Sequence, residues 1–288
     1  MSYSASQSRL RRTLLYAALI AIGIAYSLPL IWMVSTSIKP EAQTVERSIN
    51  FLPTPASQTF SIAADNYSRV WHDPTVNFPL YLRNTLIIAA LSVIGMVLSS
   101  AIVAFALARL QWRGRGTVFA IILATMMIPF PVLMVPLYLV FRELGWIGTL
   151  KPLWVPAWFG GAFNIFLLRQ FFMSIPRELD EAARIDGCST WGIFWRIILP
   201  LSKPALGVVA LFHFIFVWND FLAPLVFLSD RDQFTLALGL QLYQSQAGNT
   251  PWNLLMAAST LVILPVLIVF LFAQKAFVQG IATQGIKE

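Results

Sequence analysis

Residues 85–108 read TLIIAALSVIGMVLSSAIVAFALA, 24 positions without one Asp, Glu, Lys or Arg. A helix of that length is roughly 36 Å long, enough to cross a hydrocarbon core of about 30 Å. Five more apolar runs flank it, at 14–34, 117–141, 153–173, 206–228 and 254–273. Across all 288 residues 58% are hydrophobic and only 11% charged, with a mean hydropathy of +0.71. Soluble domains carry about 25% charged residues, so too few charges are present here to cover a single-core soluble enzyme. Disorder is excluded as well, because 22 Phe and 10 Trp are far more apolar surface than a solvated chain carries. The fold class expected is an all-α polytopic membrane protein with six transmembrane helices.

Several details refine that expectation. The run 117–141 contains Pro129, Pro131 and Pro136 and should be kinked or locally unwound. The run 14–34 follows Arg9, Arg11 and Arg12 but exceeds the roughly 7–15 residues of a signal-peptide core, so it reads as an uncleaved anchor. With the N-terminus cytoplasmic, 13 Lys and Arg fall on inner segments and 7 on outer ones. That bias places both termini in the cytoplasm. One domain is expected: a cytoplasmic segment 1–13, a six-helix membrane domain 14–276 with a cytoplasmic loop 174–205, and a cytoplasmic tail 277–288. About fifty residues after the first run, including Pro53, Pro55, Asn66 and Tyr67, would lie outside, packed on the membrane or against a partner.

The formal charge of +7 fits basic cytoplasmic loops better than nucleic-acid binding. A single cysteine, Cys188, forbids an intrachain disulfide, and two histidines, His72 and His213, are too few for a His-rich metal centre. No Gly-x-x-x-x-Gly-Lys-Ser/Thr loop occurs, so this chain has no such site for hydrolysing ATP. His-Glu-x-x-His and Gly-x-Ser-x-Gly are absent too, which argues against an intramembrane hydrolase. Gly114-Arg115-Gly116 is a lone Gly-x-Gly and reads as a turn.

The inner loop is the most informative segment. Residues 174–191 read SIPRELDEAARIDGCSTW. Pro176 suits the first turn of a helix, Arg177 to Asp186 are good helix formers, and Gly187 fits the left-handed position that ends one. Ser189 or Thr190 can cap a second helix, which should stop before Pro200. Ala182 and Ala183 would let another surface approach closely, with Glu181 at the edge. The bland alternative is a solvated amphipathic loop in which Asp180 and Arg184 pair at i,i+4.

Glu181-Ala182-Ala183, then Gly187, Ile197 and Leu199-Pro200 resemble, at matching spacing, the EAA loop of ABC importer permeases. Ile185-Asp186-Gly187 is similar to the carbohydrate branch of that family, and Cys188 departs from its usual Ala. Phe166-Leu167-Leu168-Arg169-Gln170-Phe171-Phe172, Trp218-Asn219-Asp220-Phe221 and the tail Gly280, Gly285-Ile286-Lys287 resemble the same branch. The resemblance implies that the loop is a coupling helix docking on an ATP-binding subunit, with Glu181, Ala182, Ala183, Asp186, Gly187, Leu199 and Pro200 carrying the contact. It implies a sugar importer in the bacterial cytoplasmic (inner) membrane, embedded in lipid and free of nucleic acid. Its expected partners are a second homologous permease subunit, two ATP-binding subunits and an extracytoplasmic sugar-binding protein. No cofactor is expected on this chain, since ATP and Mg would sit on the partners; the chain itself would be a non-catalytic subunit. The alternative, an ion-gradient-driven secondary transporter, needs buried acidic or His relays, and Asp220 is the one acidic residue within the runs.

Four polar or aromatic positions inside the runs are candidates for a sugar path: Asn164, Trp218, Asn219 and Asp220. An aromatic ring and hydroxyl-bonding groups are what a pyranose requires, whereas the bland reading of each is an interhelical anchor. Successive helical residues point about 100° apart, so at most two of residues 218–220 can line a path: Asn219 with one neighbour, the third anchoring a helix contact. His213 reads as an interhelical hydrogen-bonding group. Trp146, Trp154, Trp158, Trp191 and Trp195 read as interfacial belts.

Overall fold

The structure is a computed structural model that describes residues 2–46, 49–244 and 250–282, with side chains described for 11–46, 49–244 and 250–274. Every regular element among them is helical. The tail residues Gly285, Ile286 and Lys287 lie outside the described residues. The chain divides into two compact units, Met1–Val76 with Leu240–Ile263, and Asn77–Gly239 with Leu264–Glu288.

The first unit opens with α1 (Ser2–Ser37), a 36-residue helix that continues through Pro29. After it, α2 (Glu41–Thr44) and α3 (Thr59–His72) fold the following segment onto itself. Asn66 of α3 is buried and its Nδ2 donates to the carbonyls of Ser37 and Lys39, both at 2.9 Å. These carbonyls close the end of α1, where no backbone amide follows to satisfy them. Lys39 is buried too: its ammonium donates to the Asn50 carbonyl and lies 4.9 Å from the Trp32 ring. Desolvation lowers its pKa, and nearby Glu46 opposes that shift. The segment after α1 is therefore held by its own polar contacts.

The second unit is built around α4 (Phe78–Arg109), 32 residues that contain the 85–108 run. Then come α5 (Arg115–Thr125) and α6 (Phe130–Glu143), which meet at 98° across residues 126–129. Pro129, without an N–H, stands at that break as the sequence anticipated. The run 153–173 departs from expectation. It is not one helix but α7 (Lys151–Trp154), a 3-10 turn Val155–Phe159, a break at Gly160 (φ 84°) and α8 (Ala162–Ser174). Two prolines, Pro152 and Pro156, and the pair Gly160-Gly161 remove helical support there. α4 supplies what the unwound backbone lacks: Ser99 Oγ donates to the Ala157 carbonyl at 3.2 Å and Ser100 Oγ accepts from the Gly161 amide at 3.3 Å.

The loop after α8 holds α9 (Glu178–Ile185), α10 (Thr190–Ile193), a π-helical turn Phe194–Ile198 and α11 (Leu199–Leu201). A 77° bend at Ser202 leads into α12 (Lys203–Trp218). The run 206–228 is also broken, because α12 ends at Trp218 and α13 (Leu222–Phe227) begins afresh. Pro224 cannot donate to the Asp220 carbonyl, so a continuous helix would lose a bond and meet the ring there. Finally α14 (Leu236–Gln244) and α15 (Trp252–Ala282) complete the chain, the latter covering the run 254–273. Among the described residues, three helices, α1, α4 and α15, are long and apolar enough to cross a membrane unbroken, and two bent pairs could do so as units.

Candidate functional site

The 174–205 loop takes its shape from local sequence. Pro176 stands just before α9 rather than in its first turn, which begins at Glu178. Glu178, Asp180 and Glu181 occupy the first turn and Arg184 the last, matching the helix dipole at both ends. Gly187 follows with φ 79°, a left-handed conformation that costs a β-carbon roughly 1–2 kcal/mol, and the Cys188 amide reaches back to the Ala183 carbonyl at 2.8 Å. Ser189 caps α10 by accepting from the Gly192 amide at 3.1 Å. Contrary to expectation, the second helix does not stop before Pro200. The π-turn widens the preceding ring of hydrogen bonds, so a residue without an N–H is accommodated and helix continues to Leu201.

The loop has one buried side and one bare side. Ala183, Ile193, Phe194 and Ile198 join Ala104, Phe105 and Ala108 of α4, Leu168 and Phe172 of α8, and Val209 of α12 in one apolar core. Glu181, Ala182, Asp186, Gly187 and Pro200 are exposed, Leu199 is half-buried, and Ile185 is 87% exposed. So Ala182 and Ala183 of the motif face opposite ways: one towards the core, the other outward.

Asp180 is not paired with Arg184. Its Oδ2 lies 3.3 Å from Nε of Arg109, the last residue of α4, and both side chains are largely buried. Arg109 also donates from Nη1 to the Ile175 carbonyl at 2.9 Å and from Nη2 to the Pro176 carbonyl at 3.3 Å. Reading the sequence missed this contact, since Arg109 counted there only as one basic loop residue among several. A cleft of about 460 Å³ runs beside the pair, walled by Trp112, Arg177, Glu181 and Arg184 among others.

The second candidate site is a cavity of about 840 Å³ with mostly apolar walls. Asn219 and Asp220 lie on it, together with Ser92, His213, Phe141 and Ala157. Because α12 ends at Trp218, the neighbouring polar pair sits in non-helical backbone. Asn219 Nδ2 donates to the Ile215 carbonyl at 2.8 Å and closes α12, while Asp220 Oδ1 accepts from the Ala223 amide at 3.2 Å at the head of α13. Trp218 is buried away from the cavity and packs on Phe214, with ring centroids 5.2 Å apart. Asn164 is buried in α8 and does not line the cavity either. Ser92 Oγ and His213 Nε2 share a buried hydrogen bond of 2.7 Å between α4 and α12. Trp158 does not lie in an open belt alone: its indole fills the space above Gly95 of α4.

Residues 97–283 match the family described as binding-protein-dependent transport system inner membrane component. The chain belongs to that family. It is 35% identical over 280 residues to the trehalose/maltose transport system permease protein MalG of Thermococcus litoralis, covering 96% of this chain and 98% of that protein. It is 32% identical over 266 residues to the arabinooligosaccharides transport system permease protein AraQ of Bacillus subtilis, covering 92% of each. Among solved structures, a chain of a bacterial ABC transporter involved in the import of the acidic polysaccharide alginate superposes with a TM-score of 0.80 at 27% identity, over 93% of this chain and 97% of that one. Like the rest of the family, this chain is a transport component of the membrane.

Proposed function

We propose that this permease is the transmembrane subunit of an ATP-driven, binding-protein-dependent sugar importer of the bacterial cytoplasmic membrane. It crosses six times with both termini cytoplasmic, and the broken segments α7–α8 and α12–α13 each count as one crossing. A second homologous permease completes the path, an extracytoplasmic binding protein delivers the sugar, and two ATP-binding subunits hold ATP and Mg. The sugar class is supported by the names of the relatives above, which carry maltose, trehalose or arabinose oligomers. The observation that carries the reading is the shape of the 174–205 loop. A short helix presents Glu181, Ala182 and Ile185 outward while Ala183 and Phe194 root it in the same core as α4, α8 and α12. An exposed surface of that kind, fixed rigidly behind, suits transmission of force from a docked ATPase. The exposed Ile185 and the charged edge at Glu181 suit an interface better than free solvent. Asn219 and Asp220 are the side chains assigned to the sugar path.

Glu181→Lys reverses the edge charge, and Gly187→Val forces a β-branched residue into φ 79°. In the assembled transporter each should abolish uptake of radiolabelled maltose, trehalose or arabino-oligosaccharide, whichever the parent takes up, while ATP hydrolysis continues. Parental uptake by both variants would refute the coupling role.

A further inference from the structure

One guanidinium ties three separate pieces of backbone together at the end of α4. Arg109 donates to the Ile175 carbonyl at the end of α8 and to the Pro176 carbonyl in the link, and its Nε lies 3.3 Å from the Asp180 carboxylate in the first turn of α9, an ion pair rather than a hydrogen bond. Carbonyls in a link between two helices have no following amides to accept from, and Arg109 supplies the donors instead. The planar fork of arginine can serve the two carbonyls in fixed directions while its charge faces the carboxylate, which a lysine ammonium on a flexible stem cannot do as well. The pair is shielded from water: the Arg109 side chain is 2% exposed and that of Asp180 is 12% exposed. Separating them would leave an uncompensated charge in a low-dielectric place, so the contact resists pulling far more than a surface pair would. On the other side, the link from α9 to α12 runs through the Gly187 corner and the 77° bend around Ser202.

We infer that Arg109 is a positioning residue, paired with Asp180, that locks the docking helix α9 to α4 so that the two move as one body during the transport cycle. The inference rests on the permease reading above. It assigns the rigid tie of α9 to α4, which carries Ser92 on the wall of the cavity. Displacement of α9 by the ATPase would then reach the cavity through α4 without slack.

The test uses the purified complex with its ATP-binding subunits, in a Cys188→Ser background, with nitroxides at Ile102 of α4 and at Leu179 of α9, which is exposed but off the docking face. Their separation is measured by pulsed electron resonance without nucleotide and after trapping with Mg-ADP and vanadate. The expected parental result is one narrow distance that trapping leaves unchanged. In Asp180→Asn and Arg109→Gln the distance should broaden and shift on trapping. Stimulation of ATP hydrolysis by the binding protein should fall roughly three- to tenfold while basal hydrolysis persists. Asp180→Glu, which keeps the carboxylate, should restore both readouts. If Arg109→Gln does not assemble, the isosteric Asp180→Asn decides alone. An Asp180→Asn distance as narrow and nucleotide-independent as the parent's, or a parental distance that itself shifts on trapping, overturns the lock. Uncoupling by Glu181→Lys alongside such a result would leave the coupling role standing; parental uptake by both Glu181→Lys and Gly187→Val would instead remove that role.

Discussion

Asn219 sits where helix gives way to irregular backbone, and that position determines what its side chain can offer. Its Nδ2 is committed to the Ile215 carbonyl, while Asn219 and the adjoining Asp220 both stand on the cavity wall. In a mostly apolar cavity, a few fixed polar groups determine which hydroxyl-bearing solute is held and how it is oriented. Asn219→Leu keeps the size but removes both the helix-closing bond and the polar group. Uptake should fall roughly tenfold, the effect of losing one or two hydrogen bonds at about 1 kcal/mol each, while the amount of assembled complex stays at the parental value. Uptake in membrane vesicles, with complex quantified in parallel, measures both. A loss of uptake matched by a loss of complex would mean that Asn219 serves only the fold. The sequence shows the polar cluster at 218–220 plainly, but not its directions. Reasoning from an unbroken helix turns these residues by 100° steps, whereas Pro224 ends the helix and lets Asn219 and Asp220 share a wall.

Among the elements of the second unit, the long segment between α6 and α8, with only one four-residue α-helix, depends on α4. An ideal β-carbon on Gly95 would lie 2.4 Å from Trp158 Cδ1, so the indole occupies the space that any larger residue needs. Ser99 and Ser100, one turn on, satisfy the Ala157 carbonyl and the Gly161 amide. Gly95→Val should therefore expel Trp158 and destabilise the protein by about 1–3 kcal/mol, the usual cost of overpacking. The expected readout is a lower thermal midpoint in detergent, partly recovered when Trp158→Ala is added to make room. Equal midpoints for Gly95→Val and the parent would contradict this packing. The same region shows where sequence reading succeeds and where it stops. Pro129, standing before an apolar helix start, announces the break between α5 and α6. Pro152, Pro156 and Gly160-Gly161 carry the same signal in the next run, yet its uniform hydropathy reads as a single span. Hydropathy reports the environment of a segment, whereas its backbone path depends on donors lent by a neighbouring helix. Pro200 errs in the opposite direction, since a π-turn absorbs it. Arg109 is the clearest case of something invisible in one dimension, because its three partners lie more than sixty residues away along the chain.

At the scale of the whole molecule, the account joins two features: a loop whose outer face is bare and whose inner face belongs to the core, and helices broken where polar groups meet a cavity. In the proposed assembly the exposed Ile185 and Glu181 meet the ATPase, and a second permease completes the path. The central claim is that transport by this chain is driven by a separate ATPase bound to the 174–205 loop. It is tested most directly by isolating the chain from its native membrane and assaying the purified material, reconstituted in vesicles, for sugar uptake with and without internal Mg-ATP. ATP-binding subunits should co-purify in stoichiometric amount, uptake should require internal ATP, and Glu181→Lys should abolish it. A chain that purifies without any ATP-binding subunit, and takes up sugar without ATP until an ionophore collapses the ion gradient, would contradict the account.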